Sequence, residues 1–321
     1  MKAVALFSGG LDSILAIRLI QSQGIEVIAV AFRSPFFISE QKMRKMRETA
    51  EHFGFKIKFI ELGLDYIKLV RKPKHGHGKN MNPCIDCHTF MIKKAAAYAK
   101  KIGAKFVFTG EVLDERPMSQ NRNALDIVEK EAGLQGKLLR PLSAKLLPMT
   151  DAEKKGYVDR NKLMAIHGRG RNPQFELAKQ LGVKEFETPA GGCFLTDEIY
   201  SNKLRDLFKH QKTVSLDDVR LLKMGRHFRL GKNKIIVGRH KEDNLQLMKF
   251  SKKGILFDAK GVMGPITLLL GKADKKSIEL AAGLTARYSD AKTDEVVIEY
   301  GKINKEIKVK KVENTEKYMV K

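Results

Sequence analysis

Acidic residues are scarce in this chain: 37 Asp and Glu stand against 61 Lys and Arg over 321 residues, a formal net charge of +24. Such an excess favours a polyanionic partner, because phosphate contacts and counterion release supply affinity without any reading of sequence. A lysine-rich surface of the kind common in thermophiles is the plainer source of the same excess. Cysteine is scarcer still, at three residues, and an odd, sparse count argues against a disulfide framework. No apolar run approaches the length of a membrane span. The apolar start, Lys2–Phe7, stops at Ser8-Gly9-Gly10 with no small-residue cleavage site, which argues against an export leader. A cytoplasmic protein without membrane attachment is the expectation. There is no internal repeat, no low-complexity tract and no Gly-x-x-x-x-Gly-Lys-Ser/Thr string.

What is present is ordered. Hydrophobic residues make up 43% of the chain, and its length suffices for two or three domains with cores of their own. Apolar runs at Ala3–Phe7, Val27–Phe32, Ile57–Ile60 and Phe106–Phe108 read as short buried strands. Helical patterns at Leu11–Gln23, Ser39–Phe53 and Thr89–Ile102 separate them. Alternating strands and helices predict βαβ units and a doubly wound parallel α/β sheet. Lys72–Pro83 is basic, rich in Gly and His and aperiodic, which predicts a mobile loop ahead of a Cys84-Ile85-Asp86-Cys87 pair. Asp151–Gly182 reads as a small helical region containing a second irregular stretch, His167-Gly-Arg-Gly-Arg-Asn-Pro173. From about Thr213 the texture changes to short β-like runs, a helix at Lys275–Ala286 and a closing hairpin, predicting a smaller α+β domain. The expected division is residues 1–200, with 151–200 as a helical extension carrying the third cysteine, and residues 213–321.

The Ser8-Gly9-Gly10-Leu11-Asp12-Ser13 run follows the first strand and opens the first helix. A glycine pair there exposes backbone N–H groups at a helix N-terminus, a ready phosphate site. Ser8 and Ser13 add hydroxyls, and Asp12 suits a divalent cation held beside the phosphates. A plain strand-to-helix turn is the bland alternative. The string resembles the signature of PP-loop ATP pyrophosphatases, which carry a HUP-like sheet, cleave ATP between the α- and β-phosphates and adenylate a carbonyl. That resemblance implies ATP and Mg²⁺ as cofactors. It places Arg33 and Ser34 near adenine or ribose, and Gly110, Arg116 and Gln120 facing ATP and substrate.

Asn82-Pro83-Cys84-Ile85-Asp86-Cys87-His88 resembles a segment of tRNA 2-thiouridylases, with Cys87 on the catalytic cysteine and Cys84 where that family has aspartate. Ala190-Gly191-Gly192-Cys193-Phe194 is similar to the family's second cysteine site. The resemblance covers about the first 200 residues. It implies sulfur insertion into an adenylated uridine, with the sulfur carried as a persulfide or held at a cluster. A CxxC pair with one distant cysteine is also the pattern of thiolases that hold a [4Fe–4S] cluster by Cys84, Cys87 and Cys193, leaving one iron open. Zinc bound by the three thiols with His75, His77 or His88, and inert buried thiols, stay open as alternatives.

Gly225-Arg226-His227-Phe228, Val237-Gly238-Arg239-His240 and the Ala281–Ser289 string resemble the NFACT-R RNA-binding domain of ribosome quality-control proteins. This third is the more basic per residue, with 28 basic against 15 acidic residues from Ser201 onward. Arg226, Arg239 and Arg287, with Arg169 and Arg171 from the Gly-Arg stretch, are the candidate RNA contacts, and Tyr288 or Phe228 the candidate base-stacking rings. Together the resemblances imply a tRNA sulfurtransferase, with tRNA and a sulfide or persulfide carrier as partners. The assembly state, a homodimer included, is left open. The rivals are a PP-loop amidating synthetase and an RNA-binding quality-control factor whose nucleotide domain regulates binding.

Overall fold

The computed structural model describes residues 1–37, 39–184, 186 and 193–320, and divides into two compact units, Met1–Thr196 and Asp197–Lys321. The first unit runs β1 (Lys2–Leu6), α1 (Leu11–Gln21), β2 (Glu26–Arg33), α2 (Glu40–His52), β3 (Lys56–Glu61), α3 (Leu64–Arg71), α4 (Cys84–Lys101), β4 (Phe106–Phe108), α5 (Arg122–Ala132), β5 (Leu138–Leu139), α6 (Asp151–Lys154) and α7 (Asn172–Gln180). Its five strands pair in parallel in the order β3-β2-β1-β4-β5. This is a doubly wound parallel α/β sheet. The strand order reverses beside β1, so the β1 and β4 loops face one crevice at the carboxyl ends of their strands, where such sheets bind ligands.

Helix α1 is apolar on nearly every side: Leu11, Ile14, Leu15, Ile17, Leu19 and Ile20 are all buried. It lies under the sheet with α7 packed against it, which explains the absence of a polar face. Burial of each such side chain contributes about 1.5–3 kcal/mol, so the segment carrying the phosphate-type loop is anchored in the core. Gly54 and Gly103 follow α2 and α4 with φ of +66° and +68°, the left-handed geometry that ends helices.

The fourth helix begins at Cys84 rather than at Thr89. Both thiols of the CxxC pair therefore sit in its first turn. The preceding loop, though aperiodic, is bonded at several points. Lys74 N–H and His75 N–H donate to the two oxygens of the buried Asp86 carboxylate at 2.9 and 3.0 Å. Met81 N–H donates to Leu195 O at 3.0 Å, and Asn80 Nδ2 to Thr196 O at 2.8 Å.

The second unit runs α8 (Glu198–His210), α9 (Leu216–Leu221), β6 (Arg226–Leu230), β7 (Asn233–Val237), α10 (Lys241–Met248), β8 (Ile255–Ala259), β9 (Thr267–Leu270), α11 (Lys275–Arg287), β10 (Glu295–Tyr300) and β11 (Lys305–Lys310). Its antiparallel sheet has the order β11-β10-β8-β9-β7-β6. One face packs on α11 through Phe228, Ile235, Val237, Phe257, Leu269 and Leu284. On the other, Ile236 and Leu268 meet Leu221 and Leu247 of α9 and α10. Strand β7 is buried on both faces, hence its unbroken apolar Ile235–Val237 run.

Candidate functional site

The four residues between β1 and α1 form a tight, self-bonded loop. Gly9 has φ +80°, a conformation L side chains rarely adopt. Ser13 Oγ donates to Gly10 O at 2.7 Å, and Gly10 N–H donates to Ser8 Oγ at 3.3 Å. No side chain caps the helix start at Gly10, which leaves the first-turn N–H groups to an anion. The β4 loop closes against this turn: a Cβ on Gly110 would lie 2.6 Å from the Asp12 carbonyl oxygen. Only glycine permits that approach.

Asp12 is the charged centre of the loop. Burial raises its carboxyl above the ordinary range, against the opposing pull of Arg171 and Arg116. Its Oδ2 meets Arg171 Nη2 at 3.3 Å, while Oδ1 is buried with no protein partner. That orphaned oxygen fits a divalent cation. Arg171, expected among the RNA contacts, is thus engaged at the loop by Asp12, whereas Arg169 is exposed. Arg33 lies at the carboxyl end of β2, and its guanidinium is tied to Glu61 at 2.9 Å and to Glu40. Ser34 turns inward, accepting from Phe36 N–H at 3.0 Å. Gln120 is buried, and its Oε1 has no protein partner.

The three thiols gather around Tyr66 of α3. The Tyr66 hydroxyl lies 2.9 Å from Cys87 Sγ, and Cys193 is brought there by the bonds that join the 80–82 segment to Leu195 and Thr196. Ala190–Gly192, the rest of the second cysteine string, lie outside the described residues. Burial pushes the Cys87 thiol up to about 12, opposed by Tyr66 and reinforced by Cys193 and Cys84. Burial also raises Cys84, against Asn82 and Arg116. The Arg116 charge lowers both the Asp12 carboxyl and the Cys84 thiol, as a minor cause beside burial.

Among the described residues, no three His, Cys, Asp or Glu side chains are grouped closely enough to hold a single metal ion. The histidines have other partners: His75 meets Glu131 at 2.9 Å, His77 the Val70 carbonyl at 2.8 Å and His88 Glu111 at 2.7 Å. Zinc, which needs four ligands on one point, is not served by this arrangement. An iron–sulfur cubane takes each cysteine on a separate iron and does not require the thiols to converge on one point.

Three residues at this site had no signal in the sequence beyond their positions. Tyr66 is an ordinary helical tyrosine by pattern. Asp86 hides as a spacer in the CxxC pair. Glu111 follows β4 and ties the cysteine helix to the sheet: it takes His88 Nδ1 at 2.7 Å, Thr109 Oγ1 at 3.0 Å and Arg140 Nε at 2.9 Å. Arg140 is only 2% exposed and also pairs with Glu129. Burial alone would raise the Glu111 carboxyl, but Arg140 and His88 outweigh it and hold it at about 2. The ionised form is thus favoured in the folded state. Its stabilisation is complete above the ordinary value of 4.5 and is lost as pH falls toward about 2. Acid titration of unfolding free energy is expected to show this loss, with a shallower slope for Glu111→Gln. Asp86→Ala removes the acceptor of two loop N–H groups. It is expected to cost about 2–3 kcal/mol by denaturant unfolding and to open residues 72–83 to protease.

In the second unit, the Gly-Arg strings are turn chemistry. Asp243 Oδ2 accepts Gly225 N–H at 3.0 Å and Arg239 Nε at 2.8 Å, joining the two turns. Phe228, expected as a stacking ring, is fully buried in the α11 core; strand alternation points it inward. Tyr288 carries the Arg226 guanidinium 4.6 Å from its ring centroid. Arg287 is exposed.

A parallel sheet with a glycine-paired loop after its first strand, joined to a thiol-bearing helix, is the arrangement that the resemblance to PP-loop thiouridylases implies. Comparison with known proteins agrees. Residues 1–145 match the family model of the thiamine biosynthesis protein ThiI, and residues 225–320 match that of the NFACT protein RNA binding domain. Over 146 residues the chain is 32% identical to a probable tRNA sulfurtransferase of Thermococcus kodakarensis, covering 44% of this chain and 36% of that one. Over 118 residues it is 30% identical to the tRNA-specific 2-thiouridylase MnmA of Campylobacter concisus, covering 34% of each. The chain thus spans about a third of the length of these relatives. It is also similar, at 17% identity and a TM-score of 0.34, to the U34-tRNA thiolase NcsA from Methanococcus maripaludis, solved with its [4Fe-4S] cluster; the match covers 70% of this chain and 71% of that one. No helix among the described residues is long and apolar enough to cross a membrane.

Proposed function

We propose that the chain is an ATP-dependent tRNA sulfurtransferase, which adenylates a uridine carbonyl and replaces its oxygen with sulfur. The observation that carries this reading is one unit that holds both a glycine-paired loop, where the buried Asp12 Oδ1 has no geometric hydrogen-bond partner, and a thiol-bearing helix whose Cys87 meets Tyr66 at 2.9 Å. An enzyme that activates with ATP and then inserts sulfur needs a phosphate site and thiols that can act on the same bound substrate. In this reading the N–H groups of Ser8–Ser13 bind the pyrophosphate part of ATP, and Asp12 holds Mg²⁺ through its unpartnered oxygen. Gly110 lets the β4 loop close over the nucleotide, and Gln120 and Arg33 stand at its rim. The uridine oxygen attacks the α-phosphate and pyrophosphate leaves. Hydrosulfide then adds at the carbon, and AMP departs with the original oxygen. Cys84, Cys87 and Cys193 would hold a [4Fe–4S] cluster, which when bound supplies an open iron site for the incoming sulfide. Tyr66 and the Glu111–Arg140 network keep the thiol-bearing helix in place. The second unit grips tRNA through Arg226, Arg239, Arg287 and neighbouring lysines, so binding should weaken steeply with salt.

The test is iron and sulfide analysis of anaerobically purified protein, with mass spectrometry of tRNA nucleosides from cells with and without the gene. A thionucleoside that disappears on deletion supports the reading. Protein without iron, together with an unchanged set of thionucleosides, sinks it.

A further inference from the structure

The segment that leads into α7 lies beyond the residues matched by the ThiI family model, yet it docks on the phosphate-type loop. Helix α7 packs against α1, and its Leu177 and Ala178 share a core with Ile14 and Leu15. This fixes its first turn beside Asp12. Gln174, in that turn, is 0% exposed, and neither its Oε1 nor its Nε2 has a protein hydrogen-bond partner. Arg171 reaches Asp12 at 3.3 Å through Nη2, while its Nε is buried and likewise unpartnered. The Gln174 side chain faces Asp12 closely enough to pull its carboxyl down, yet, with Asp12 Oδ1, four buried polar atoms at one spot lack a well-formed hydrogen bond. Native proteins satisfy the large majority of such groups, so a cluster of exceptions calls for a cause.

From this we infer that Arg171 and Gln174 complete the nucleotide site from outside the ThiI-like segment. Arg171 binds a phosphate of ATP, and Gln174 is a positioning residue that holds the Asp12 carboxylate for the cation. The inference rests on the nucleotide reading above and extends it. Charge explains the pairing. A carboxylate beside a phosphate loop repels the polyphosphate, and a guanidinium at the same carboxylate offsets that repulsion. When Asp12 turns to the cation, Arg171 has a planar donor fork ready for phosphate oxygens. Gln174 presents both a donor and an acceptor, so it can orient Asp12 in either state without carrying charge.

The experiment measures Mg²⁺-ATP and Mg²⁺-pyrophosphate binding to the full chain by calorimetry, with tRNA affinity measured in parallel. Arg171→Ala is expected to weaken both phosphate ligands by at least about 10-fold, with tRNA affinity within about twofold of wild type. Gln174→Leu, close in volume, is expected to keep or raise the ligand-free Tm while shrinking the rise in Tm that ATP produces. A merely structural glutamine would instead lower the ligand-free Tm and leave the ATP-induced rise unchanged. If Arg171→Ala binds ATP like wild type, or loses only tRNA affinity, the inference is overturned and Arg171 returns to the RNA face. If wild type itself fails to bind ATP, the nucleotide reading falls as well.

Discussion

Cys87→Ala is expected to lower sulfur incorporation by more than about 100-fold, beyond the 10- to 100-fold typical of losing an outer partner of a metal site. Cys84→Ala and Cys193→Ala should act alike, because the three ligands of the proposed cluster would work as a unit and their losses would not add. The same variants should purify anaerobically with less iron. Stability offers a control. The three thiols are only partly buried, and alanine in the first turn of α4 is a good helix former. Thermal unfolding of the metal-free chains should therefore change little. A variant that keeps full activity without Cys87 and Cys193 would favour an amidating synthetase, which has no use for them.

Asp12→Asn carries the second large effect. Removing the one carboxylate in the phosphate-type loop should lower ATP-dependent turnover by about 10²–10³-fold, the range seen when a group that stabilises transition-state charge is deleted. The stability change should have the opposite sign. Burial raises the Asp12 carboxyl, so the folded chain resists its ionisation. A group shifted in that direction destabilises increasingly as pH rises through and above its ordinary value of 3.8. At neutral pH the neutral amide relieves that penalty, and Asp12→Asn is expected to melt at or above the wild-type temperature while losing function. An inactive variant that also melts well below wild type would make Asp12 structural.

The legible parts of this molecule share one property: the signal is local. Apolar runs such as Val27–Phe32 stand out because a strand covered on both faces needs no polar alternation. The Ser8–Ser13 loop is legible because phosphate geometry forces glycine and hydroxyl residues into one short string. The start of α4 is hidden because Pro83 and the glycine-rich loop before it look like a break. The acceptor that orders that loop, Asp86, lies inside the helix itself. Strand β5 has two residues, Leu138 and Leu139, too few for any periodicity. Gln174 was invisible because a glutamine in an amphipathic helix reads as solvent-facing, and only tertiary packing of α7 on α1 buries it. The neighbours of Arg171, Gly168, Arg169 and Gly170, point by composition to RNA, and nothing local announces its ion pair across the fold with Asp12. Phe228 reads as a candidate stacking ring from its basic neighbours, but strand alternation turns it into the core.

In the proposed reading, ATP activation and sulfur insertion are one coupled reaction on tRNA. The most direct measurement supplies the anaerobically purified full chain with ATP, Mg²⁺, sulfide and unmodified tRNA, and counts AMP and thiouridine together. The account predicts that the two products appear one for one, and that omitting tRNA, ATP or sulfide abolishes thiouridine. AMP released without sulfur entering the RNA, or thiouridine formed without ATP, would contradict it.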